Sequence, residues 1–300
     1  MESIVRSEIY DAVRRKNALD QLCARYSVIK KSVIGKSCGG RDIYAFQIGA
    51  GEEACLFAAA FHGSEHITAV VLMMFLEEAA RAASENAYLA GLNLNKSIRG
   101  RSLIFVPCVN PDGCEISACG AAGCGNRVAA IGKLCRQDFV HWNANLRGVD
   151  INHNFDAGWQ ELRRKEIEAG IYGPRRSRFG GNAPESEPET VALTALCRSR
   201  RIRHVAALHS QGEVIYYRYG EKTPERGVRM AQIMATASGY RPEDPAGLAV
   251  GGGFKDWFIE TFARPGFTIE LGKGQNPLPP ESAREIYEKA REMLTLCAIM

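Results

Sequence analysis

Histidine and glutamate side chains follow three of the most apolar stretches of this 300-residue chain. His62 and Glu65 come directly after one apolar run. His209 follows a second run, and Glu270 lies near the end of a third. Two imidazoles and one carboxylate form the ligand set of a catalytic zinc site, which keeps its fourth position for water. The pattern therefore predicts one zinc ion per chain, held by His62, Glu65 and His209.

Glu270 is the carboxylate that this ligand set leaves free. Zinc in such a site lowers the pKa of water towards neutrality, and a nearby carboxylate can then accept the proton. We therefore predict Glu270 as the general base of a hydrolytic reaction.

The stretch from His62 to His66 also fits a second pattern. In the inverted zincin motif, His-x-x-Glu-His, both histidines bind zinc and Glu65 acts as the base. That chemistry needs the five residues on one helix, whereas Gly63 and Ser64 directly follow a predicted strand. The substitution His66→Ala separates the two interpretations, because it abolishes zinc binding only in the inverted motif.

Apolar runs of strand length alternate with helical patterns along the chain. Strands are predicted at 54–61, 102–109, 205–208, 214–217 and 267–271, short strands around a turn within 32–48, and helices at 4–25, 68–83 and 281–297. Strands that are apolar throughout are typical of a sheet covered on both faces. We predict the α/β class, with residues 1–300 as a single domain. Its centre is a mixed, largely parallel twisted β-sheet with helices on both faces, and active sites of this architecture lie beyond the carboxyl ends of the strands.

Three further local patterns lie between these elements. Asn110-Pro-Asp-Gly113 predicts a turn. The stretch from there to Trp159 is predicted to be irregular, and such a length inside a compact domain indicates function. Ser186-Glu-Pro-Glu189 predicts a capping box that opens the next helix.

The composition excludes several classes of protein. Hydrophobic residues make up 46% and charged residues 24% of the chain, which excludes disordered, collagen-like and coiled-coil proteins. A net charge of +4 is too weak to indicate a nucleic-acid or membrane partner. No apolar run approaches the roughly 18 residues that span a bilayer, and the first residues lack the apolar core of a signal peptide. We therefore expect no membrane span and a cytoplasmic protein.

The ten cysteines are expected to be reduced in a long chain without a leader. Cys114, Cys119 and Cys124 recur at intervals of five, which is not the spacing of a structural zinc site. We interpret them as small buried or loop thiols.

Seven segments, taken in order, resemble the M14 family of zinc metallocarboxypeptidases along nearly the whole chain. They are Ile34–Arg41, His62–Glu65, Asn110–Gly113, Gly148–Phe155, Ser186–Thr190, His209–Gln211 and Phe267–Leu271. The resemblance implies a zinc-dependent peptidase with His62, Glu65 and His209 as metal ligands. It also implies Glu270 as the general base.

Two departures from the family pattern concern the grip on the terminal carboxylate of the substrate. Family carboxypeptidases use an Asn-Arg pair, but this chain has His153 after Asn152, and an imidazole is a shorter donor with a single contact point. The covering tyrosine of the family is replaced by residues 247–250. With the segments 142–147, 253–257 and 264–266, these departures resemble the bacterial γ-D-glutamyl-diaminopimelate peptidases, which cut the stem peptide of peptidoglycan.

Two cations are further candidates for substrate binding in that branch. The oxyanion arginine of the family follows a tryptophan, where this chain has Asn143, and Arg147 is the nearest cation that could replace it or else brace the loop. Lys255 falls where family members carry the side chain at the base of the specificity pocket, or is a solvated lysine. We expect both, with Asn152 and His153, to contact a peptide or muropeptide substrate.

Three functions remain to be compared. The first is a zinc peptidase that cleaves the γ-D-glutamyl-meso-diaminopimelate bond of stem peptides. The second is a conventional carboxypeptidase of cytoplasmic peptides or polyglutamate tails, which the loss of the Asn-Arg pair disfavours. The third is a binding module that kept the fold without the chemistry, which the complete set of ligands and base disfavours.

Overall fold

An eight-stranded mixed β-sheet forms the centre of the computed structural model, which describes residues 2–300. The strands are β1 (Ile29–Lys36), β2 (Asp42–Gly49), β3 (Glu53–Ala59), β4 (Tyr88–Leu89), β5 (Leu92–Asn93), β6 (Arg101–Val106), β7 (Arg201–His209), β8 (Val214–Tyr216), β9 (Arg241–Glu243) and β10 (Gly266–Glu270). Their order in the sheet is β1-β2-β6-β3-β7-β10-β8-β9, and β4 pairs with β5 in a separate hairpin. The neighbours β6, β3, β7 and β10 run parallel, whereas β1–β2, β2–β6 and β10–β8 are antiparallel. The predicted mixed sheet with a parallel centre is confirmed.

Helices cover both faces of the sheet, as the apolar strands predict. They are α1 (Ala12–Arg25), α2 (His66–Ser84), α3 (Leu94–Ser97), α4 (Pro111–Cys119), α5 (Val128–Cys135), α6 (Trp159–Glu168), α7 (Pro188–Ser199), α8 (Glu225–Ser238), α9 (Phe254–Phe262) and α10 (Ala283–Ile299). One core lies under α1, α2, α8 and α10, and the other lies under α7 and α9. Because side chains alternate along a strand, Cys55 and Phe57 of β3 enter the first core and Leu56 and Ala58 the second.

None of the helices among residues 2–300 combines the length and the apolarity that crossing a membrane requires.

The register of the parallel strands brings their carboxyl ends to one edge. Ala59 of β3 is paired with Leu208 of β7, and Glu270 of β10 is paired with His209 of β7. Residues that follow β3, β7 and β10 therefore meet at this edge of the sheet.

Most predicted strands and helices are confirmed, but the first helix is shorter than predicted. It begins at Ala12 rather than at residue 4, because Oδ1 of Asp11 accepts the backbone N–H of Arg14 at 2.8 Å and caps the helix there. The preceding residues bond elsewhere, since the N–H of Ile4 donates to Oε1 of Glu77 at 2.8 Å. Because Glu77, 73 positions along the chain, binds the backbone of this segment, the segment does not join the helix.

Two local predictions between residues 110 and 190 are wrong, and a third is correct only in part. Asn110 caps α4 instead of starting a turn, since its Oδ1 accepts the N–H of Gly113 at 2.8 Å and proline fits the first helical position. The helices α4 and α5 occupy part of the stretch predicted to be irregular, which shortens it to 136–158. No capping box opens α7, because the hydroxyl of Ser186 donates to Oε1 of Glu187 at 2.9 Å and caps no backbone group.

The three evenly spaced cysteines lie in α4 and the turn that follows it. Cys114 and Cys124 are buried and Cys119 is exposed, and all ten cysteines are free thiols. The thiols of Cys108 and Cys114 lie 3.7 Å apart, sulfur to sulfur, in the interior. These positions agree with small buried or loop thiols.

Candidate metal centre and active site

His62, Glu65 and His209 come together at the carboxyl edge of the parallel strands, where their ligand atoms lie within 4.8 Å of one another. Nδ1 of His62 is 2.8 Å from Oε1 of Glu65, and Nδ1 of His209 is 3.0 Å from Oε2 of the same carboxylate. His209 ends β7, whereas Glu65 closes the short 3₁₀ turn 63–65 that follows β3. One carboxylate and two Nδ1 atoms therefore converge on one point.

The orientation of the His62 ring and the chemistry of the three donors fit a zinc ion. Nε2 of His62 points to Oδ1 of Asp150 at 3.1 Å, which leaves Nδ1 to face Glu65. A carboxylate behind a ligating imidazole fixes its tautomer and ring orientation in zinc proteins. Two imidazole nitrogens and a carboxylate oxygen are also the set that zinc uses in catalytic sites with an open fourth position. His62, Glu65 and His209 could therefore hold one zinc ion.

The charges of this cluster are strongly coupled. Burial alone would lower the pKa of His62, but the carboxylates of Glu65 and Asp150 outweigh burial and raise this pKa well above its usual value. Burial alone would raise the pKa of Glu65, but the His62 and His209 imidazoles outweigh it and lower this pKa to about 2. The carboxylates are thus held ionised in the interior, where a cation is favoured.

Glu270 ends β10 beside His209 and stays outside the hydrogen bonds of the cluster. Its burial, reinforced by the negative charge of Glu65, raises its pKa to about 8 despite the opposing charge of His62. A carboxyl group with a pKa near neutrality can both accept and return a proton. Glu270 is therefore placed to act as an acid–base group.

A cavity of about 390 Å³ opens beside the cluster. Its lining includes His62, His209 and Glu270, and three of the predicted substrate residues, Asn152, His153 and Lys255. The fourth predicted substrate residue, Arg147, is not among the lining residues. Its Nη1 lies 3.5 Å from Oε2 of Glu187, and half of its side chain is exposed. The structure thus places Arg147 on the supporting loop rather than in the cavity.

Two of these predicted substrate residues are already paired with acids. Nδ1 of His153 is 2.8 Å from Oε1 of the fully buried Glu166. Nζ of Lys255 donates to the carbonyl oxygen of Arg218 at 2.7 Å and forms an ion pair with Asp256. Lys255 and Asp256 are both buried and both line the cavity, so opposite charges stand side by side in its wall.

His66 lies outside the candidate metal site. Residues 63–65 form a 3₁₀ turn and His66 begins α2, so His62 and His66 do not share one helical face. His66 is buried without a partner for Nδ1 within residues 2–300. Burial, with the Arg15 charge, lowers its pKa to about 4. This geometry disfavours the inverted zincin pattern.

Sequence reasoning missed three residues of the site. Asp150 stands two positions before Asn152 in a motif that was recognised, and Asp256 directly follows Lys255, so both could have been considered. Arg178 also lines the cavity, but it falls in an irregular stretch without a motif, and its place depends on long-range packing.

Comparisons with known proteins agree with this geometry. The family description of zinc carboxypeptidases, M14, matches residues 16–295. The γ-D-glutamyl-L-diamino acid endopeptidase 1 of Lysinibacillus sphaericus is 35% identical over 286 residues, which cover 94% of this chain and 70% of that protein. Human carboxypeptidase B is 27% identical over 263 residues, 82% of this chain and 58% of that protein.

A solved structure shares the fold. Bovine thrombin-activatable fibrinolysis inhibitor, in complex with tick carboxypeptidase inhibitor, superposes with a TM-score of 0.75 at 19% identity, covering 97% of each chain. At that identity the likeness concerns the fold alone. The family match and the identity to the bacterial endopeptidase confirm the family that the motifs predicted. The chain belongs to the M14 family of zinc carboxypeptidases and is a zinc-dependent peptidase.

Proposed function

We propose that this protein hydrolyses the γ-D-glutamyl-meso-diaminopimelate bond of peptidoglycan stem peptides, with residues 1–300 acting as one catalytic domain. The observation that carries the proposal is the buried ion pair of Lys255 and Asp256 in the cavity wall. The bacterial relative at 35% identity, named a γ-D-glutamyl-L-diamino acid endopeptidase, supports the same substrate class.

The ion pair complements a zwitterion. Meso-diaminopimelate carries a second amino acid centre at the far end of its side chain, with one carboxylate and one ammonium group. The Lys255 ammonium can meet that carboxylate, and Asp256 can accept from that ammonium, in charge-assisted hydrogen bonds. A lysine side chain in the same place brings an ammonium group alone and leaves Lys255 without a substrate partner. The site therefore favours diaminopimelate over lysine.

In this proposal His62, Glu65 and His209 hold the zinc ion. When bound there, zinc would act as a Lewis acid and lower the pKa of water towards neutrality. Asp150 keeps a proton on Nε2 of His62, so that Nδ1 is free to bind the metal. Glu270 accepts the proton of the attacking water at its carboxylate and returns it to the leaving amine.

Asn152 and His153 face the carboxylate nearest the scissile bond. His153 is paired with Glu166 and is shorter than arginine, so it binds that carboxylate weakly. Weak binding there is compatible with substrates whose peptide chain continues beyond diaminopimelate. The ion pair of Arg147 with Glu187 supports the second of its two expected roles, bracing the loop.

The test is incubation of the purified, zinc-loaded protein with L-Ala-γ-D-Glu-meso-diaminopimelate, with products identified by mass spectrometry. The expected products are L-Ala-D-Glu and free meso-diaminopimelate. Parallel incubations with the lysine analogue and with the Glu270→Gln variant serve as controls for specificity and for contaminating peptidases. An intact stem peptide, together with removal of C-terminal residues from ordinary α-linked peptides, would instead identify a conventional carboxypeptidase.

A further inference from the structure

Arg178 differs from the other basic residues that line the catalytic cavity. Lys255 is paired with Asp256 and His153 with Glu166, and the two candidate ligand histidines face Glu65. The Arg178 side chain is exposed to the cavity and forms neither an ion pair nor a hydrogen bond with the part of the chain from residue 2 to residue 300. It is therefore free to bind an anionic group of the substrate.

The backbone of Arg178 is attached to the carboxylate that orients the metal site. Its N–H donates to Oδ2 of Asp150 at 2.7 Å, and the carbonyl oxygen of Phe179 accepts the N–H of Asp150 at 2.8 Å. The other oxygen of Asp150 faces His62. Asp150 thus links the backbone of Arg178 to the candidate zinc ligand His62.

The conformation of Arg178 is unfavourable for a residue with a side chain. Its φ is +66°, in the left-handed region that favours glycine. Such conformations persist where the surroundings impose them, and they concentrate at functional sites. Here the bonds to Asp150 hold the backbone in this conformation, and Arg178 lines the cavity with its guanidinium unpaired.

Among the charged groups of the two residues that flank the scissile bond, one is still without a partner. The distal zwitterion of diaminopimelate is matched by Lys255 and Asp256, and its near carboxylate by Asn152 and His153. A γ-linked D-glutamyl residue also carries a free α-carboxylate on the acyl side of the scissile bond, which an α-linked residue lacks at that position. A guanidinium offers two parallel N–H donors to such a carboxylate.

We propose that Arg178 binds the α-carboxylate of the γ-linked D-glutamyl residue and so determines selectivity on the acyl side of the bond. This inference rests on the proposed function, because it presumes a γ-D-glutamyl substrate. It adds a residue that distinguishes the free acid from its amidated, D-isoglutaminyl form.

The experiment compares two substrates, L-Ala-γ-D-Glu-meso-diaminopimelate and its D-isoglutaminyl analogue, with wild-type and Arg178→Met enzymes. Loss of a charge-assisted contact predicts that Arg178→Met lowers kcat/KM about 10- to 100-fold for the acid. For the amide the loss should be less than about threefold, and Arg178→Lys should recover part of the activity on the acid. Wild-type enzyme should prefer the acid, whereas Arg178→Met should not.

The matched control is Arg176→Met, two residues away, whose guanidinium pairs with Asp138 at 3.1 Å outside this cavity. It should leave kcat/KM on both substrates unchanged, and the zinc content and Tm of all variants should equal those of the wild type. Equal losses on acid and amide in Arg178→Met would overturn the inference while the proposed function stands. If Arg178→Met instead lowers kcat/KM on every substrate except one in which the near carboxylate of diaminopimelate is amidated, Arg178 binds that carboxylate and the inference is wrong. No cleavage of either substrate by wild type would refute the proposed function, and the inference with it.

Discussion

Replacing Asp150 by asparagine isolates the contribution of one carboxylate to the metal site. Asp150 is buried, its Oδ1 lies 3.1 Å from Nε2 of His62, and its Oδ2 accepts the N–H of Arg178 at 2.7 Å. Asparagine keeps the shape but has one acceptor oxygen, so its amide NH₂ must face one of these two donors. The variant also loses one of the two negative charges that raise the pKa of His62, while that of Glu65 remains.

The size of the effect follows from the lost contact. A hydrogen bond to a charged group contributes about 1.5–3 kcal/mol, and about 1.4 kcal/mol corresponds to a tenfold change in an equilibrium constant. Asp150→Asn should therefore weaken zinc binding about 10- to 100-fold, which is the usual range for partners of ligating histidines. Competition with a chromophoric chelator measures this affinity, and circular dichroism and Tm establish that the fold is kept.

Asp138→Asn is a matched control for this variant. Asp138 forms a similar contact with a histidine, 2.8 Å from Nδ1 of His141, but this pair is partly exposed on the surface. Its substitution should leave zinc affinity unchanged. A zinc affinity of Asp150→Asn within threefold of the wild type, in a folded protein, would refute the assignment of Asp150 to the orientation of His62.

Three further variants test the general base, the substrate pocket and a buried histidine. Glu270→Gln should keep its zinc and its Tm but lose about 10²–10⁴-fold in kcat, because an amide cannot accept the proton of water; a loss of less than tenfold in steady-state kinetics would show that Glu270 is not the base. Lys255→Met should lower kcat/KM for the diaminopimelate peptide and leave the lysine analogue nearly unchanged, and equal losses on both would mean that Lys255 only supports Asp256. Burial lowers the pKa of His204 to about 3. As the pH falls from about 6.5 towards 3, the imidazole therefore becomes protonated in the unfolded chain but stays neutral in the native protein, which favours unfolding. Denaturant titrations across this window should show stability declining by up to about 1.4 kcal/mol per pH unit from this group, and His204→Gln should reduce that slope; an unchanged slope would contradict the buried neutral histidine.

The sequence predicted those parts of the molecule that depend on local patterns. Apolar strands followed by His62, His209 and Glu270 could be recognised, and the parallel register brings such residues to one edge. The same patterns predicted the mixed sheet and its two covered faces. The cytoplasmic location, in contrast, stays a prediction.

The parts that could not be predicted depend on contacts between distant segments. The first helix starts late because Glu77 binds the backbone of residues 4 and 5. Arg178 reaches the cavity because Asp150 and Phe179 are hydrogen-bonded across an irregular segment, which leaves no periodic signal. Arg147 was selected by its proximity to a motif along the chain, but its pairing with Glu187 directs it elsewhere.

Metal analysis shows whether side chains from two strand ends form one zinc site. Elemental analysis of the purified protein should find about one zinc per chain. The His209→Ala variant should lose it on dialysis against a chelator, because two protein ligands are too few to hold the ion. Full zinc occupancy in folded His209→Ala would contradict the claim.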